Sequence, residues 1–416
     1  MSSEATPVSP RERIYTLDVI RGFALLGIFI MNMPGFNTSF YANFAGSDLF
    51  PANYDRWAEN LRDVFFSGKF NSMFSMLFAI GFTIQLERLE ARDPAHAKSI
   101  YLRRIFWLFV FGAIHMCVFW TGDVLHIYAL FGLLLLALRR APERLLWTLF
   151  AFCMLFPVAM GLYRLMVFTP EFKDYVVAVS KAWEATNNAA YGQGSWLDAA
   201  REHYRETVIL YSEPFMMRGM LGFYVQVFST MVLGLMLGRR QFFQNAALHL
   251  PFVKRMQWSM LAFGIATGAV FGIWQATTTD FVTPTPARIV AIVCYFVCRV
   301  AIMIFYVATI VRCVHNDAWR RRLAPMASAG RMPLTNYLMQ TLMATFIFYG
   351  WGLGFWGKAG PALDLLLAFV LFFAVQVPLS KWWLSRYELG PMEWLWRRLT
   401  YGKVKLSLRQ GSAAPT

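Results

Sequence analysis

The chain has 416 residues, of which 57% are hydrophobic and only 15% are charged. A soluble domain usually carries about 25% charged residues, so this composition excludes an ordinary soluble enzyme. The net charge of +15 would suit a nucleic-acid surface, but the basic residues lie between apolar segments rather than on one polar face. We therefore expect a lipid bilayer, and no nucleic acid, as the partner.

Apolar segments of the length needed to cross a bilayer, about 20 residues, follow one another along the chain. They are residues 15–34, 70–86, 104–121, 123–138, 145–168, 214–238, 256–275, 288–312, 332–350 and 361–384. The predicted fold class is all-α: a polytopic integral membrane protein with about ten transmembrane helices. Only Thr121 and Gly122 separate the third and fourth segments, which predicts a tight helical hairpin.

The distribution of Lys and Arg predicts the orientation. If both termini are cytoplasmic, the segments on the cytoplasmic side carry more than twice as many Lys and Arg residues as those outside. Positive charge collects in cytoplasmic loops of membrane proteins. We therefore predict that both termini are cytoplasmic.

The spans divide into two predicted halves. Residues 1–213 would form an N-terminal membrane half with the first five helices, and residues 214–405 a C-terminal half with the last five. Residues 406–416 are predicted to be a disordered tail. Within the first half, residues 169–213 are predicted to form a long outer loop.

The outer loop is amphipathic rather than apolar. Its pattern predicts one helix, a polar turn and a second helix. The turn is expected at Asn187, Asn188, Gly192 and Gly194. This helical pair would cap the outer face of the protein.

Ionisable residues at membrane depth are costly and mark candidate sites. Asp18 and Arg21 lie near the cytoplasmic end of the first helix, three residues apart, so they share one face. They either form an ion pair that fixes the helix end or place Arg21 where it meets an anionic group such as phosphate. Asn32 lies three helical turns further on, near the outer end.

A second group of polar residues is expected where the hairpin turns. His115 lies near the outer end of the third span, and Asp123 and His126 open the fourth. A carboxylate that orients a histidine is an arrangement typical of a general base. The alternative is structural, with Asp123 capping a helix and each histidine bonding a neighbouring helix.

Arg299 lies in the middle of the eighth span, the costliest depth for a cation. The sequence offers no acid at that depth. Its expected partners are a bound anion or the amides Gln226, Gln340, Gln376 and Asn336. A structural bond to helix carbonyls is the alternative.

The sequence predicts no metal site. The five cysteines, Cys117, Cys153, Cys294, Cys298 and Cys313, all lie in or beside apolar spans. They have no zinc-ligand spacing with histidine, and we interpret them as small buried residues.

Three segments resemble a known family. They are RIYTLDVIRGFALLGIFIMN from Arg13 to Asn32, GRMPLTNYLMQ from Gly330 to Gln340, and YELGPMEWLWRRLTYGK from Tyr387 to Lys403. Together they are similar to the YeiB-like bacterial inner-membrane proteins, whose C-terminal half is domain of unknown function 418. The resemblance implies a multi-pass protein of the bacterial inner membrane.

The LDxxRG start is shared more widely. It resembles transmembrane acyltransferases such as heparan glucosaminide N-acetyltransferase, which transfer an acyl group from cytoplasmic acyl-CoA to a sugar across the membrane. The resemblance implies acyl-CoA as co-substrate, a glycan or lipid acceptor, and a place for Asp18 and Arg21 in the donor site. Arg331 would join Arg21 in receiving the phosphates, and Asn32, Arg299 and Gln340 would contact substrate.

One departure from the bacterial acyltransferases concerns the base. They carry a catalytic histidine eleven residues after the motif arginine, where this chain has Asn32, and asparagine is not a base near neutral pH. His115 or His126, with Asp123, would have to supply that base. Acyl transfer is one of three hypotheses. The second is a transporter whose path is lined by Arg299 and the glutamines, and the third is a structural or regulatory membrane subunit.

Overall fold

The computed structural model describes residues 13–278, 280 and 282–402. Within those residues the chain is helical and contains no strand. The first half contains α1 (Tyr15–Asn37), α2 (Asn53–Phe65), α3 (Lys69–Arg92), α4 (Ala97–Phe119), α5 (Leu125–Leu138), α6 (Glu143–Val167), α7 (Pro170–Gly192) and α8 (Trp196–Ser212). The second half contains α9 (Pro214–Arg239), α10 (Leu250–Thr277), α11 (Pro286–Val314), α12 (Ala324–Gly330), α13 (Pro333–Phe348), α14 (Pro361–Leu384) and α15 (Pro391–Tyr401).

Seven of these helices, α1, α4, α6, α9, α10, α11 and α14, are long and apolar enough to cross a membrane. The prediction of an all-α, multi-pass membrane protein is confirmed at that level. The other three predicted spans correspond to α3, α5 and α13. Of these, α5 has 14 residues and α13 has 16, which is short for a bilayer crossing. The total of ten spans and the side on which the termini lie therefore remain predictions.

The first helix lies at the centre of the protein. Val19, Ala24, Leu25 and Phe29 have no exposed surface, and α1 packs against α3, α12, α13 and α14. A Cβ atom on Gly330 would lie 1.8 Å from the carbonyl oxygen of Asp18, so glycine permits α12 to touch the α1 backbone. The two predicted halves thus pack closely at this contact. Their division at residue 213 remains a prediction, and the tail at 406–416 lies outside the described residues.

The hairpin differs from the prediction in its connector. The helix α4 ends in a π-turn, His115–Phe119, and α5 begins only at Leu125. Asp123 therefore lies in a five-residue connector and not within the fourth helix. A Cβ atom on Gly112 would lie 2.3 Å from the backbone nitrogen of His126, so this glycine lets the connector fold back onto α4.

The predicted outer loop consists of two helices, α7 and α8. Asn187 and Asn188 lie inside α7, so the turn begins later than predicted, at Gln193. The reason is that α7 continues to Gly192 before Ser195 starts α8 with a capping box to Asp198. The helix α8 packs on the π-turn of α4, which places polar residues of the pair above the hairpin.

Candidate functional site

Asp123 lies between two histidines. Its Oδ1 is 2.8 Å from Nδ1 of His115, and its Oδ2 is 2.9 Å from Nδ1 of His126. Oδ2 also accepts a hydrogen bond from the His126 backbone N–H at 3.1 Å, so Asp123 caps the start of α5 as well. All three side chains are buried. The Asp123 carboxylate thus does both things predicted for it: it caps a helix and it holds a histidine ring in place.

The two histidines have different surroundings. With Nδ1–H donated to Asp123, the Nε2 atom of each ring is left as an acceptor. Nε2 of His115 lies 2.9 Å from the Thr341 hydroxyl, inside the helix packing. Nε2 of His126 lies 2.5 Å from the Tyr211 hydroxyl. Only the His126 pair lines a cavity among those described below.

That cavity, here called the His126 cavity, has a volume of about 760 Å³. Asn32 lines it from the last turns of α1, and Asp123, His126 and Tyr211 line it from the hairpin and α8. Three of the predicted site residues therefore share one space. His115 lies behind Asp123, so its position suits support of the carboxylate rather than contact with a ligand.

A second polar cluster in the same cavity was missed by sequence reasoning. The Tyr191 hydroxyl donates to Oε2 of Glu206 at 2.6 Å and lies 2.9 Å from Nδ1 of His203. Thr121 also donates to Glu206, at 3.0 Å, and Tyr349 lies 3.3 Å from Nε2 of His203. The available signal was the three-residue spacing of His203 and Glu206 on α8, within a segment interpreted only as a cap.

The opposite end of α1 opens into another cavity, here called the Arg21 cavity, of about 300 Å³. Among the described residues, its wall contains two carboxylates, Asp18 and Glu393, and six arginines: Arg13, Arg21, Arg88, Arg104, Arg331 and Arg397. The sequence-predicted residues Asp18, Arg21 and Arg331 are thus brought together. Nη1 of Arg21 lies 2.9 Å from Oδ1 of Asp18, which is the predicted ion pair.

The charges around the Arg21 cavity are partly buried. Burial lowers the pKa of Arg13 to about 10, with Arg331 and Arg397 contributing and Asp18 opposing. Burial also raises the pKa of the Glu393 carboxyl, which accepts hydrogen bonds from the backbone N–H groups of Leu334 and Thr335. The wall of the cavity is therefore crowded with cations, and one of its two carboxylates already caps a helix.

The two cavities approach each other at a layer made of Val124, Tyr128 and Tyr337. Val124 lines both cavities. Tyr128 lines the Arg21 cavity, and its hydroxyl donates at 3.4 Å to the carbonyl of Asn71, which lines the His126 cavity. Tyr337 lines the Arg21 cavity, and its hydroxyl donates to Oδ1 of Asp123 at 3.4 Å. Arg21 and Asn32 lie eleven residues apart on α1, which is about 16 Å along a helix axis. The two cavities therefore open from opposite ends of the helix bundle onto one thin layer.

The amide partners predicted for Arg299 are wrong for the described residues, while the bound anion remains a prediction. Gln226 donates to Ser72, Gln340 donates to the Leu25 carbonyl and to Gln376, and Gln376 donates to the Asn336 carbonyl. The guanidinium instead lies over the rings of Tyr295 and Phe296, at 4.9 and 5.6 Å. Arg299 is buried, and its Nε has no hydrogen-bond partner among the described residues.

The predicted substrate residues Arg299 and Gln340 lie apart from the His126 cavity. Arg299 lines a third cavity of about 300 Å³ between α6, α9 and α11, here called the Arg299 cavity. Gln340 is buried between α1, α13 and α14, where its hydrogen bonds join helices. A sequence predicts the depth of a residue in the membrane, but it does not show which neighbouring helix that residue faces.

Comparison with known proteins yields relatives of unknown function. The family model described as "Protein of unknown function (DUF418)" matches residues 237–403. The uncharacterized protein YxaH of Bacillus subtilis (strain 168) is 31% identical over 412 residues, covering 96% of this chain and 97% of the relative. The uncharacterized protein YeiB of Escherichia coli (strain K12) is 28% identical over 418 residues, covering 94% of this chain and 96% of the relative. No solved structure matches the chain.

Proposed function

The chain belongs to the YeiB-like family of proteins with the DUF418 region, and we propose that it is a membrane acyltransferase. In this proposal the Arg21 cavity receives cytoplasmic acyl-CoA, and the His126 cavity receives an acceptor hydroxyl or amine from the other side. The observation that carries the proposal is the layer of Val124, Tyr128 and Tyr337, which both cavities approach. The protein would lie in the bacterial inner membrane with both termini in the cytoplasm.

The donor half of the proposal depends on charge. Coenzyme A carries several phosphate charges, and arginine binds phosphate through paired N–H groups. Asp18 holds Arg21 in place at 2.9 Å, and Arg331 comes from the other half of the chain to the same cavity. The pantetheine arm of acyl-CoA would then extend toward Val124, where the acyl group meets the layer.

The acceptor half depends on His126. Asp123 fixes the imidazole with Nδ1–H toward the carboxylate, so that Nε2 is the basic atom. The Tyr211 hydroxyl donates to Nε2 at 2.5 Å, and both side chains line the cavity. It would pass a proton to His126 as it takes one from the acceptor, and Asp123 would stabilise the imidazolium that forms.

The reaction balances without a further reagent. The acceptor oxygen or nitrogen forms a bond to the thioester carbonyl carbon and gives up its proton through Tyr211 to His126. The carbon–sulfur bond then breaks, and the coenzyme A thiolate leaves and takes that proton. The Asn32 amide, which lines the same cavity, would donate a hydrogen bond to acceptor or carbonyl oxygen; it cannot act as the base.

The experiment uses purified full-length protein in liposomes with radiolabelled acetyl-CoA. We expect binding of acetyl-CoA that weakens on Arg21→Gln substitution, and transfer of label to membrane lipid or added glycan. Arg240→Gln is the matched control, because Arg240 is an exposed arginine paired with Glu143 outside the cavities. Absence of acetyl-CoA binding and of labelled product from the wild-type protein would contradict the proposal.

A carrier function is the second candidate, and one observation favours it. Two cavities on either side of a closed layer are also the arrangement of alternating access, in which one cavity opens as the other closes. An anionic solute would then pass from the Arg21 cavity through the layer into the His126 cavity. Uptake into liposomes without any covalent change of the solute would favour the carrier over the enzyme.

A further inference from the structure

Three arginines converge where the His126 cavity meets the Arg299 cavity. Arg164 lies near the end of α6, Arg218 in the second turn of α9 and Arg288 in the first turn of α11. All three line both cavities. We call them the arginine triad. Arg164 is close enough to Arg218 and to Arg288 for their charges to repel one another.

The described residues supply no salt bridge to the arginine triad. Arg218 lies over the ring of Tyr163 at 5.7 Å, and Arg288 donates to the carbonyls of Val282 and Thr283. Asp280 is the carboxylate that attracts Arg288. Its oxygens are already bonded to Lys173 at 2.6 Å and to the Thr283 hydroxyl and backbone N–H.

Two of the three arginines do not stabilise their helices, whereas Arg164, in the last turn of α6, does. A helix N-terminus carries partial positive charge, so a cation in the first turns is unfavourable there. Arg218 and Arg288 both lie near such ends. Two helix N-termini and three guanidinium groups thus direct positive charge into one space, and a bound anion would relieve the repulsion.

The space beside the arginine triad is apolar along most of its length, with Arg299 at its far end. The Arg299 cavity continues from Arg288 along α11 past Ile289, Ile292 and Phe296. Its other walls come from α6 and α9, whose outer faces carry exposed apolar side chains such as Leu155, Leu162 and Leu221. Exposed apolar side chains on a membrane-spanning helix are expected to contact lipid. Arg299, whose Nε has no hydrogen-bond partner in the described part of the chain, lines the same cavity eleven residues beyond Arg288.

We propose that the arginine triad binds the phosphate end of a membrane lipid, with the apolar chain of the lipid lying along the Arg299 cavity. A phosphate monoester or diphosphate matches three guanidinium groups, since each can form paired hydrogen bonds to phosphate oxygens. A role for this lipid as the acyl acceptor would rest on the proposed function. Binding of the lipid does not depend on that function, so binding and acyl transfer are tested separately.

The test measures binding, with no acyl donor present. Purified full-length protein in detergent is titrated with fluorescent phosphatidic acid and with the matching phosphatidylcholine. We expect wild-type protein to bind phosphatidic acid at least tenfold more tightly than phosphatidylcholine. We expect the triple variant R164Q/R218Q/R288Q to bind phosphatidic acid at least tenfold more weakly than the wild type. The triple variant R56Q/R201Q/R240Q is the matched control, because these three arginines are exposed outside the cavities and their replacement removes the same three charges.

Two results would overturn the inference. One is equal affinity of wild-type and triple-variant protein for phosphatidic acid. The other is triad-dependent binding of inorganic pyrophosphate without binding of phosphatidic acid, which would make the site one for free phosphate. If the triple variant does not purify as a folded protein, the single variants Arg164→Gln and Arg218→Gln are judged by the same comparison, each with an expected weakening of at least threefold.

Discussion

The hydroxyl of Tyr337 donates to Oδ1 of Asp123 at 3.4 Å, and this bond joins the wall of one cavity to the carboxylate that orients the histidine of the other. Tyr337 is buried on α13, within the GRMPLTNYLMQ segment, and lies 5.2 Å from the ring of His115. The layer between the cavities is therefore chemically connected to the candidate base.

Replacing Tyr337 with phenylalanine tests this connection. The ring stays in place while the Asp123 carboxylate loses one donor, whose hydrogen bond is long at 3.4 Å and contributes about 1 kcal/mol. We expect acyl transfer to fall about five- to tenfold while acetyl-CoA binding is unchanged. Tyr306→Phe is the control, because the Tyr306 hydroxyl bonds the Phe65 carbonyl away from the layer. Equal rates for the two variants would show that the bond has no part in transfer.

The two histidines predict two different phenotypes. His126→Gln removes the basic Nε2 atom that is to receive the acceptor's proton through Tyr211, so transfer is expected to fall by about 100-fold or more. His115→Gln breaks a buried bond to Thr341 and leaves a polar group unsatisfied, at a cost of about 1–3 kcal/mol in the free energy of unfolding. Transfer assays and thermal unfolding in detergent separate the two effects. If both variants only lower protein abundance, the structural or regulatory alternative is the better one.

Close packing of α1 on α12 makes a further prediction. Gly330→Ala would bring a Cβ atom to 1.8 Å from the Asp18 carbonyl oxygen, so the helices must separate. We expect a loss of stability of about 1–3 kcal/mol, as for other overpacked sites, and a wider Arg21 cavity. Gly219→Ala is the matched control, because a Cβ atom there meets no atom of the described residues within 4 Å. A Gly330→Ala protein as stable as Gly219→Ala would contradict the observed packing.

Features that depend on residues close together in the chain were predictable from sequence. Features that depend on which helix faces pack together were not. The apolar length of residues 15–34 predicted α1, and the three-residue spacing of Asp18 and Arg21 predicted their ion pair. The short hairpin connector predicted that His115 and His126 would meet at Asp123. Each of these follows from neighbours in the chain.

Contacts between distant helices were not predictable in the same way. Arg299 was assigned amide partners at its own depth, but a depth does not say which face of α11 meets α9 or α13. His203 and Glu206 were missed because their partners, Tyr191, Thr121 and Tyr349, come from three other segments. The arginine triad was missed for the same reason, since it joins the ends of three helices.

Arg299 provides the last prediction. Its guanidinium is buried, lies over Tyr295 and Phe296, and has no carboxylate partner among the described residues. A buried charge costs several kcal/mol in desolvation, and contact with aromatic rings returns about 2 kcal/mol. In lipid-free detergent, Arg299→Met is therefore expected to unfold at the same or a higher temperature than the wild type. Arg255→Met, at an exposed position on α10, controls for the loss of one charge. If an anion binds at Arg299 itself, its addition raises the unfolding temperature of the wild type and not of Arg299→Met, whereas a lipid phosphate held by the arginine triad would stabilise both proteins. A large loss of stability on Arg299→Met without any ligand would instead assign Arg299 a structural bond that holds the helices together.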